Sequence, residues 1–331
     1  MSSPAPSFDL PTYGDVREAR KRLAALVRPT PVLRWTRLEE RLGCRIVLKC
    51  EQFQPTGAFK IRGATNALLL LDEDARRRGV GTHSSGNHGA ALAYAGRRLG
   101  IPVTVVLPEG ASPAKVRLLE EEGARIVPCA PTQEARERTL ARLVAEEGLT
   151  PVPPYDDARV IAGQGTACDE FLDDVPDLDV LLVPVGGGGL VSGSALALRA
   201  RRPEARLFGV EPAGAADTRA SLEAGTRATQ HHPETISDGL RALVGVLPFA
   251  LIRRHVDDVL TVTDEETIAA LRLFVSETHA VIEPSSATVV AALLALPDNE
   301  RRGRTIGLIL SGGNVDPAAL AGWLGGAAPK S

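Results

Sequence analysis

Four consecutive glycines, Gly186 to Gly189, follow the apolar run Val180–Val185 and precede the helix-like stretch Leu190–Arg201. With no side chains in the way, their backbone N–H groups can converge on one anion. The N-terminus of the helix that follows adds partial positive charge. A plain turn needs one or two glycines, so a run of four predicts a phosphate cradle. No Gly-Lys-Ser/Thr sequence follows and the G-x-G-x-x-G spacing is absent, which separates this loop from nucleoside-triphosphate and dinucleotide loops. A second candidate is Lys60, set between Phe59 and Ile61 at the start of a helix in the segment Thr56–Gly63. Desolvation lowers a lysine pKa, and the neutral amine can attack a carbonyl. A phosphate cradle and a desolvated lysine together predict pyridoxal 5′-phosphate held as a Schiff base. A third segment, Ser84-Ser85-Gly86-Asn87-His88-Gly89, lies between Val80–Thr82 and a helix. Its hydroxyl and amide groups suit a carboxylate at a strand-to-helix turn, although the same residues also make an ordinary N-cap. Finally, Ser311-Gly312-Gly313-Asn314 follows Thr305–Leu310, placing a hydroxyl at a strand C-terminal end, where α/β proteins gather ligands.

The elements that must position these groups alternate along the chain. Ile46–Leu48, Val103–Leu107, Arg125–Val127, Val180–Val185, Leu207–Val210, Val259–Val262 and Thr305–Leu310 read as strands. Several are almost wholly apolar, as strands buried on both faces must be. Between them, Ala64–Leu71, Ala90–Leu99, Ala114–Glu122, Gln133–Glu146, Leu190–Arg201, Asp264–Thr278 and Ser286–Leu296 carry apolar residues at helical spacing. This alternation predicts an α/β chain with parallel sheets. Its 331 residues are enough for two domains, and the Pro-rich segment Pro151–Asp157 is the candidate crossing between them. Lys+Arg 38 against Asp+Glu 41 leaves a net charge of −3, with no basic excess for nucleic acid. No apolar run is long enough to span a membrane. The N-terminus carries no secretory pattern. Cys44, Cys50, Cys129 and Cys168 form no C-x-x-C pair and have no histidine cluster beside them. A reducing cytoplasm is therefore expected, without zinc or a disulfide framework.

The segments Lys49–Ala67 (KCEQFQPTGAFKIRGATNA), Ser84–Gly89 (SSGNHG), Val160–Thr166 (VIAGQGT), Val183–Leu190 (VPVGGGGL), Val210–Pro212, Ile236–Leu240 (ISDGL), Ile282–Pro284 and Leu310–Asp316 (LSGGNVD) resemble the fold-type II pyridoxal-phosphate enzymes of the serine/threonine dehydratase and serine racemase group. The motifs stand in the family's order and span roughly residues 30–316. The resemblance implies a tryptophan synthase β-like α/β fold. Two open, twisted, mostly parallel sheets are flanked by helices, with the cofactor between domains. It makes the domains discontinuous: a small mobile domain, residues 78–155, inserted into a large cofactor-binding one formed by 1–77 and 156–331.

Position by position, the resemblance implies that Lys60 is the Schiff-base lysine and the base at Cα. Phe59 packs on the cofactor, and Asn87 bonds its 3′ oxygen. Gly186, Gly187, Gly188 and Gly189 hold its phosphate, and Ser311 faces its pyridine nitrogen. Ser84, Ser85, Asn87 and His88 grip the substrate α-carboxylate. Ser85 is also placed as the acid/base on the face opposite Lys60, which would permit racemisation. Arg136 aligns with an arginine used against a second carboxylate, as in 3-hydroxyaspartate. Glu211, Ala215 and Asp217 match, in spacing, a divalent-cation site suited to Mg²⁺ or Ca²⁺. A neutral Ser311 leaves the ring nitrogen largely unprotonated, favouring prompt loss of a β-leaving group over transamination.

The implied activity is β-elimination from L-threonine, L-serine or 3-hydroxyaspartate, giving a 2-oxo acid and ammonia, by a homodimer. A serine/aspartate-type racemase is the alternative, and Tyr155 leans towards dehydratases because racemases of the group often carry asparagine there. A β-replacement enzyme is disfavoured by Ile61-Arg62-Gly63. A non-catalytic amino-acid sensor would be expected to lose Lys60 or the glycine loop. Ala58 departs from the family's usual serine. The short stretch after Asn314 leaves no room for a C-terminal regulatory domain.

Overall fold

The computed structural model describes residues 9–84, 86–111 and 113–326. Ten strands are present among them: β1 (Val32–Arg34), β2 (Arg45–Cys50), β3 (Val80–Thr82), β4 (Val103–Pro108), β5 (Arg125–Cys129), β6 (Thr150–Pro151), β7 (Val180–Pro184), β8 (Arg206–Pro212), β9 (Asp258–Val262) and β10 (Thr305–Leu310). They form a six-stranded sheet in the order β1-β2-β10-β7-β8-β9 and a four-stranded sheet in the order β5-β4-β3-β6. Every pairing is parallel except β1 with β2. Strands from both ends of the chain thus meet in the larger sheet, while the smaller one is made wholly by residues 80–151.

Alternation along the central strands explains the layers. Ile46, Leu48, Ile306, Leu308 and Leu310 enter one apolar core, with Phe274, Val289, Val290 and Leu293 from the helices Asp264–Thr278 and Pro284–Ala295. Val47, Leu181, Val183 and Ile309 point to the other face, against Phe171, Leu190 and Val191. Side chains two apart share a face, so a sheet covered on both sides needs this almost continuous apolar run. The core beneath the smaller sheet joins Val80, Val103 and Val105 to Ile61, Ala64 and Leu68. The helix that begins at Lys60, Lys60–Leu69, is therefore built into the smaller sheet's packing as well as the larger one's.

The structure adds elements that periodicity did not bring out. The longest helix, Ala158–Asp174, starts at Asp157, whose carboxylate caps the amides of Arg159 and Val160. Its Gly163 and Gly165 weaken it as an isolated helix. They are needed for approach: a Cβ on Gly163 would lie 2.7 Å from the Arg62 carbonyl oxygen and the Gly63 Cα. Two helices thus touch backbone to backbone directly behind Lys60. Further helices not anticipated are Tyr13–Leu23, Thr36–Leu42, Asp217–Ala224, Val246–His255 and Pro317–Leu324.

Candidate active site

The segments after β2, β3, β7 and β10 carry the candidate cofactor and carboxylate residues, at strand C-terminal ends, while Arg136 lies on the helix Gln133–Glu147 and Glu211, Ala215 and Asp217 on and after β8. Lys60 is the first residue of its helix, and the N-cap, Phe59, makes no side-chain cap. The turn is fixed instead from outside. The Phe59 amide donates to the Ser311 carbonyl at 2.9 Å, and Gly63 donates to Gln164 Oε1 at 3.2 Å. Below it, the fully buried Arg62 guanidinium clasps Glu51 (2.7 and 2.9 Å) and Glu170 (2.8 and 2.7 Å). Lys49 Nζ joins Glu170 at 3.1 Å. Two cations against two carboxylates, with the remaining donors satisfied, is the arrangement in which burying charge is tolerable.

The Lys60 amine donates to the Pro154 carbonyl at 2.8 Å and lies 5.0 Å from the centre of the Phe59 ring and 6.0 Å from that of Tyr155. Burial pushes its pKa down to about 8, opposed by the carboxylate of Glu283, which raises it. Glu283 is itself buried and pushed up to about 7, chiefly by desolvation. It accepts two hydrogen bonds from Asn87 Nδ2, at 3.2 and 3.1 Å, and Asn87 Oδ1 accepts from Asn314 Nδ2 at 2.9 Å. Asn87 opens the helix Asn87–Leu99, so this amide ties the smaller sheet's unit to the larger one.

The glycine loop leaves β7 and enters the helix Gly189–Arg201. Gly188 has φ of +87°, which strains any side chain. A Cβ on Gly187 would overlap the ring of Tyr155. Gly186 to Gly189 are buried, yet among the described residues none of their four amides has a hydrogen-bond acceptor. Buried N–H groups are rarely left orphaned, so this row of unspent donors at a helix N-terminus fits a phosphate group. Ser311 is buried, its Oγ 3.0 Å from Ser286 Oγ, which also donates to the Gly312 carbonyl at 2.7 Å and accepts from the Gly312 amide at 2.8 Å. The Gly239 amide donates to Ser285 Oγ at 3.2 Å, next to Ser286. Lys60, Phe59, Asn87, the glycine loop and Ser311 are thus connected through Tyr155, Glu283 and Ser286.

The carboxylate-gripping segment is met in part. Ser84 is half-buried at the end of the loop after β3, and the helix that follows is capped by Gly86 with no side-chain cap. Ser85 lies outside the described residues. His88 is buried with its Nε2 3.0 Å from the Val152 carbonyl, and burial, with the nearby Lys60 charge, pushes its pKa down to about 3. Its neutral ring meets Val152 through Nε2, while Nδ1 is buried without a hydrogen-bond partner among the described residues. Arg136, on the helix Gln133–Glu147, has a buried Nε with no partner, near His83 and Glu137.

The three cation-site residues lie on β8 and in the segment that follows it. Glu211, on β8, is fully buried and its oxygens accept the amides of Thr218 (3.0 Å) and Arg219 (2.9 Å). Ala215 is buried in the short turn Ala213–Ala215. Asp217 Oδ2 accepts the Val244 amide at 2.8 Å, while Oδ1 is buried without a hydrogen-bond partner, 3.7 Å from His231 Nε2. Among the described residues, no three His, Cys, Asp or Glu side chains are gathered as a ready metal site.

Sequence reasoning missed Glu283, Ser286 and the Arg62 cluster as parts of the site. The available signal for Glu283 was a carboxylate beside Ile282 in an apolar stretch, directly before a proline that starts a helix.

Residues 23–312 match the family model described as pyridoxal-phosphate dependent enzyme. L-threo-3-hydroxyaspartate ammonia-lyase of Saccharomyces cerevisiae is 43% identical over 96% of this chain and 97% of its own length. The β-hydroxyaspartate dehydratase of Paracoccus denitrificans is 41% identical over 93% and 97%. The crystal structure of serine racemase from Dictyostelium discoideum is 41% identical, covers 92% of this chain and 99% of that one, and superimposes with a TM-score of 0.88. No helix of the described residues is long and apolar enough to cross a membrane.

Proposed function

The chain belongs to the pyridoxal-phosphate dependent enzymes, and from that premise we infer that it is an ammonia-lyase. It eliminates the β-substituent of a hydroxy amino acid and releases a 2-oxo acid and ammonia. The observation that carries the reading is the desolvated Lys60 amine, with its pKa near 8, together with a cradle of unspent amides, both beside Tyr155. When bound, the cofactor supplies an electron sink for the carbanion formed at Cα.

The chain's own residues divide the remaining work. Lys60 would hold the cofactor, and its free amine is suited by a pKa near neutrality to take the Cα proton of a bound substrate. Gly186 to Gly189 bind the phosphate through N–H groups. Asn87 and Ser311 orient the ring, and the neutral Ser311 hydroxyl leaves the ring nitrogen without a counter-charge. Ser84 and the open amides of the helix Asn87–Leu99 take the α-carboxylate. The unpartnered Nε of Arg136 supports recognition of a second carboxylate, and with it 3-hydroxyaspartate as the preferred substrate, in accord with the activities named for the yeast and Paracoccus relatives. Ser85, on the opposite face, supplies the second acid/base that racemisation needs, an activity supported by the racemase relative.

The proposal extends to a homodimer in a reducing cytoplasm, in accord with four free, buried cysteines. It also extends to a divalent cation, Mg²⁺ or Ca²⁺, at Glu211, the Ala215 carbonyl and Asp217, supported by the unpartnered Asp217 Oδ1. Chelation should lower the thermal midpoint, and either ion should restore it, because an ion bound only by the folded state stabilises it. No response in protein shown by elemental analysis to be metal-free overturns the cation.

The deciding experiment incubates the protein with L-serine, L-threonine and L-threo-3-hydroxyaspartate and measures 2-oxo acid, ammonia and D-isomer together. Ammonia and 2-oxo acid in equal amounts are expected, fastest from 3-hydroxyaspartate. Lys60→Ala should form neither and should lack the visible absorbance of lysine-bound cofactor. D-isomer without ammonia would make the protein a racemase instead.

A further inference from the structure

We propose that Asp217 is a positioning residue for the glycine loop, and through it for the cofactor's phosphate group, a role that rests on the pyridoxal-phosphate reading above. Among the described residues, one backbone hydrogen bond reaches the loop from outside its own strand and helix. The Gly187 carbonyl accepts the Gly245 amide at 3.1 Å. In a trans peptide the carbonyl and the next N–H point in opposite directions. Tying the Gly187 oxygen to Gly245 therefore aims the Gly188 N–H at the other side, into the space where the loop's amides stand without acceptors.

What fixes Gly245 is a run of four amides, each with its own carboxylate or loop partner. Val244 donates to Asp217 Oδ2 at 2.8 Å, Gly245 donates to the loop, and Val246 and Leu247 donate to the two oxygens of Asp156 at 2.9 Å each. Asp156 caps the helix Val246–His255. It fixes the residues after Gly245; the residue before is held at its carbonyl by Arg227 Nη1, at 3.0 Å, and at its amide by Asp217. Its carboxylate is buried, and the Val244 side chain it anchors is buried too, 3.4 Å from where a Cβ on Gly188 would stand. A charge-assisted hydrogen bond in such surroundings is among the stronger ones available to a side chain.

The test is the equilibrium affinity of cofactor-free protein for pyridoxal 5′-phosphate, read by visible absorbance, in the wild type and Asp217→Asn. Asparagine keeps the shape and loses the charge, and both proteins are measured in excess chelator so that a cation at Glu211 and Asp217 does not contribute. The dissociation constant should rise roughly 3- to 10-fold, the scale on which a hydrogen bond weakens when its acceptor loses charge. A purely structural role would lower the thermal midpoint of the cofactor-free variant and leave the dissociation constant within twofold of wild type, and that result overturns the proposal. Should Asp217→Asn fail to fold, hydrogen exchange of the wild type decides. The Val244 and Gly245 amides should become more protected when the cofactor is added, and unchanged exchange there overturns the proposal equally. Failure of the cofactor reading itself shows separately, as wild-type protein that binds no cofactor.

Discussion

At the scale of single residues, the site turns on two buried groups that bias each other. Lys60 has a reason to be neutral, because burial outweighs the Glu283 carboxylate. Glu283 has a reason to stay protonated up to a pH of about 7, because desolvation outweighs the hydrogen bonds from Asn87. The lysine reacts with an aldehyde only as the free amine. Uptake of the cofactor by cofactor-free protein should therefore accelerate as pH rises through about 8. Glu283 raises the lysine pKa, so Glu283→Gln should shift that midpoint to lower pH, and rapid-mixing absorbance across a pH series measures it. An unchanged or higher midpoint would mean the two groups are not coupled. The variant also removes a carboxylate whose folded pKa lies above its ordinary value of 4.5. Such a group costs stability as pH rises from about 4.5 to 7, and the cost is complete above that. Glu283→Gln should therefore raise the thermal midpoint of cofactor-free protein more at pH 8 than at pH 5.

At the scale of elements, the sequence made legible whatever was periodic or rich in glycine at a strand end. The strands Val103–Leu107 and Thr305–Leu310 are read from apolar runs, and in the structure they span Val103–Pro108 and Thr305–Leu310. The phosphate loop could be read because four glycines in a row have few other uses. The helix Ala158–Asp174 could not, because its Gly163 and Gly165 obey packing rather than local preference. Glu51, Glu170 and Glu283 escaped for a related reason. Their partners are 11, 108 and 196 residues away in sequence, at Arg62 and Asn87. The packing argument has a measurable consequence. Gly163→Ala gains about 1 kcal/mol in helix propensity, yet its Cβ would stand 2.7 Å from the Arg62 carbonyl oxygen and the Gly63 Cα, where backbone must shift. Denaturant unfolding should show a net loss of roughly 1–3 kcal/mol, the range of overpacked sites. The exposed Gly14, in the helix Tyr13–Leu23 with only the Thr12 side chain near, is the control and should be neutral or slightly stabilised by alanine. Equal effects at the two positions would remove close approach as the reason for Gly163.

At the scale of the whole molecule, the two sheets meet through few polar ties, and most of them converge on the site. Asn87 reaches from the smaller sheet's unit to Glu283 and Asn314. The Lys60 amine reaches the Pro154 carbonyl in the segment that leaves β6. Asp156, in the same segment, caps the helix Val246–His255. One face of the smaller sheet has a core of its own, made by Val106, Cys129, Leu140, Leu143 and Leu149, while the other shares its core with residues of the larger unit, among them Leu23, Ile61, Leu68, Leu71 and Val160. A unit with a small core of its own and, among the described residues, few polar ties to its neighbour opens more readily than the larger sheet it is attached to. A cofactor gripped by Asn87 on one side and by Lys60, Ser311 and the glycine loop on the other would add a tie across this junction. Hydrogen exchange should therefore be faster in β3 and β4 than in β7 and β10 when the protein is cofactor-free. Adding pyridoxal 5′-phosphate should slow exchange in the first pair more than in the second, because ligand binding stabilises most what it links. The glycine loop's own amides should slow as well, and they report occupancy independently of the sheets. Slowing confined to the loop, with β3 and β4 unchanged, would mean that the smaller sheet is held by its shared core alone and that the cofactor does not join the two halves.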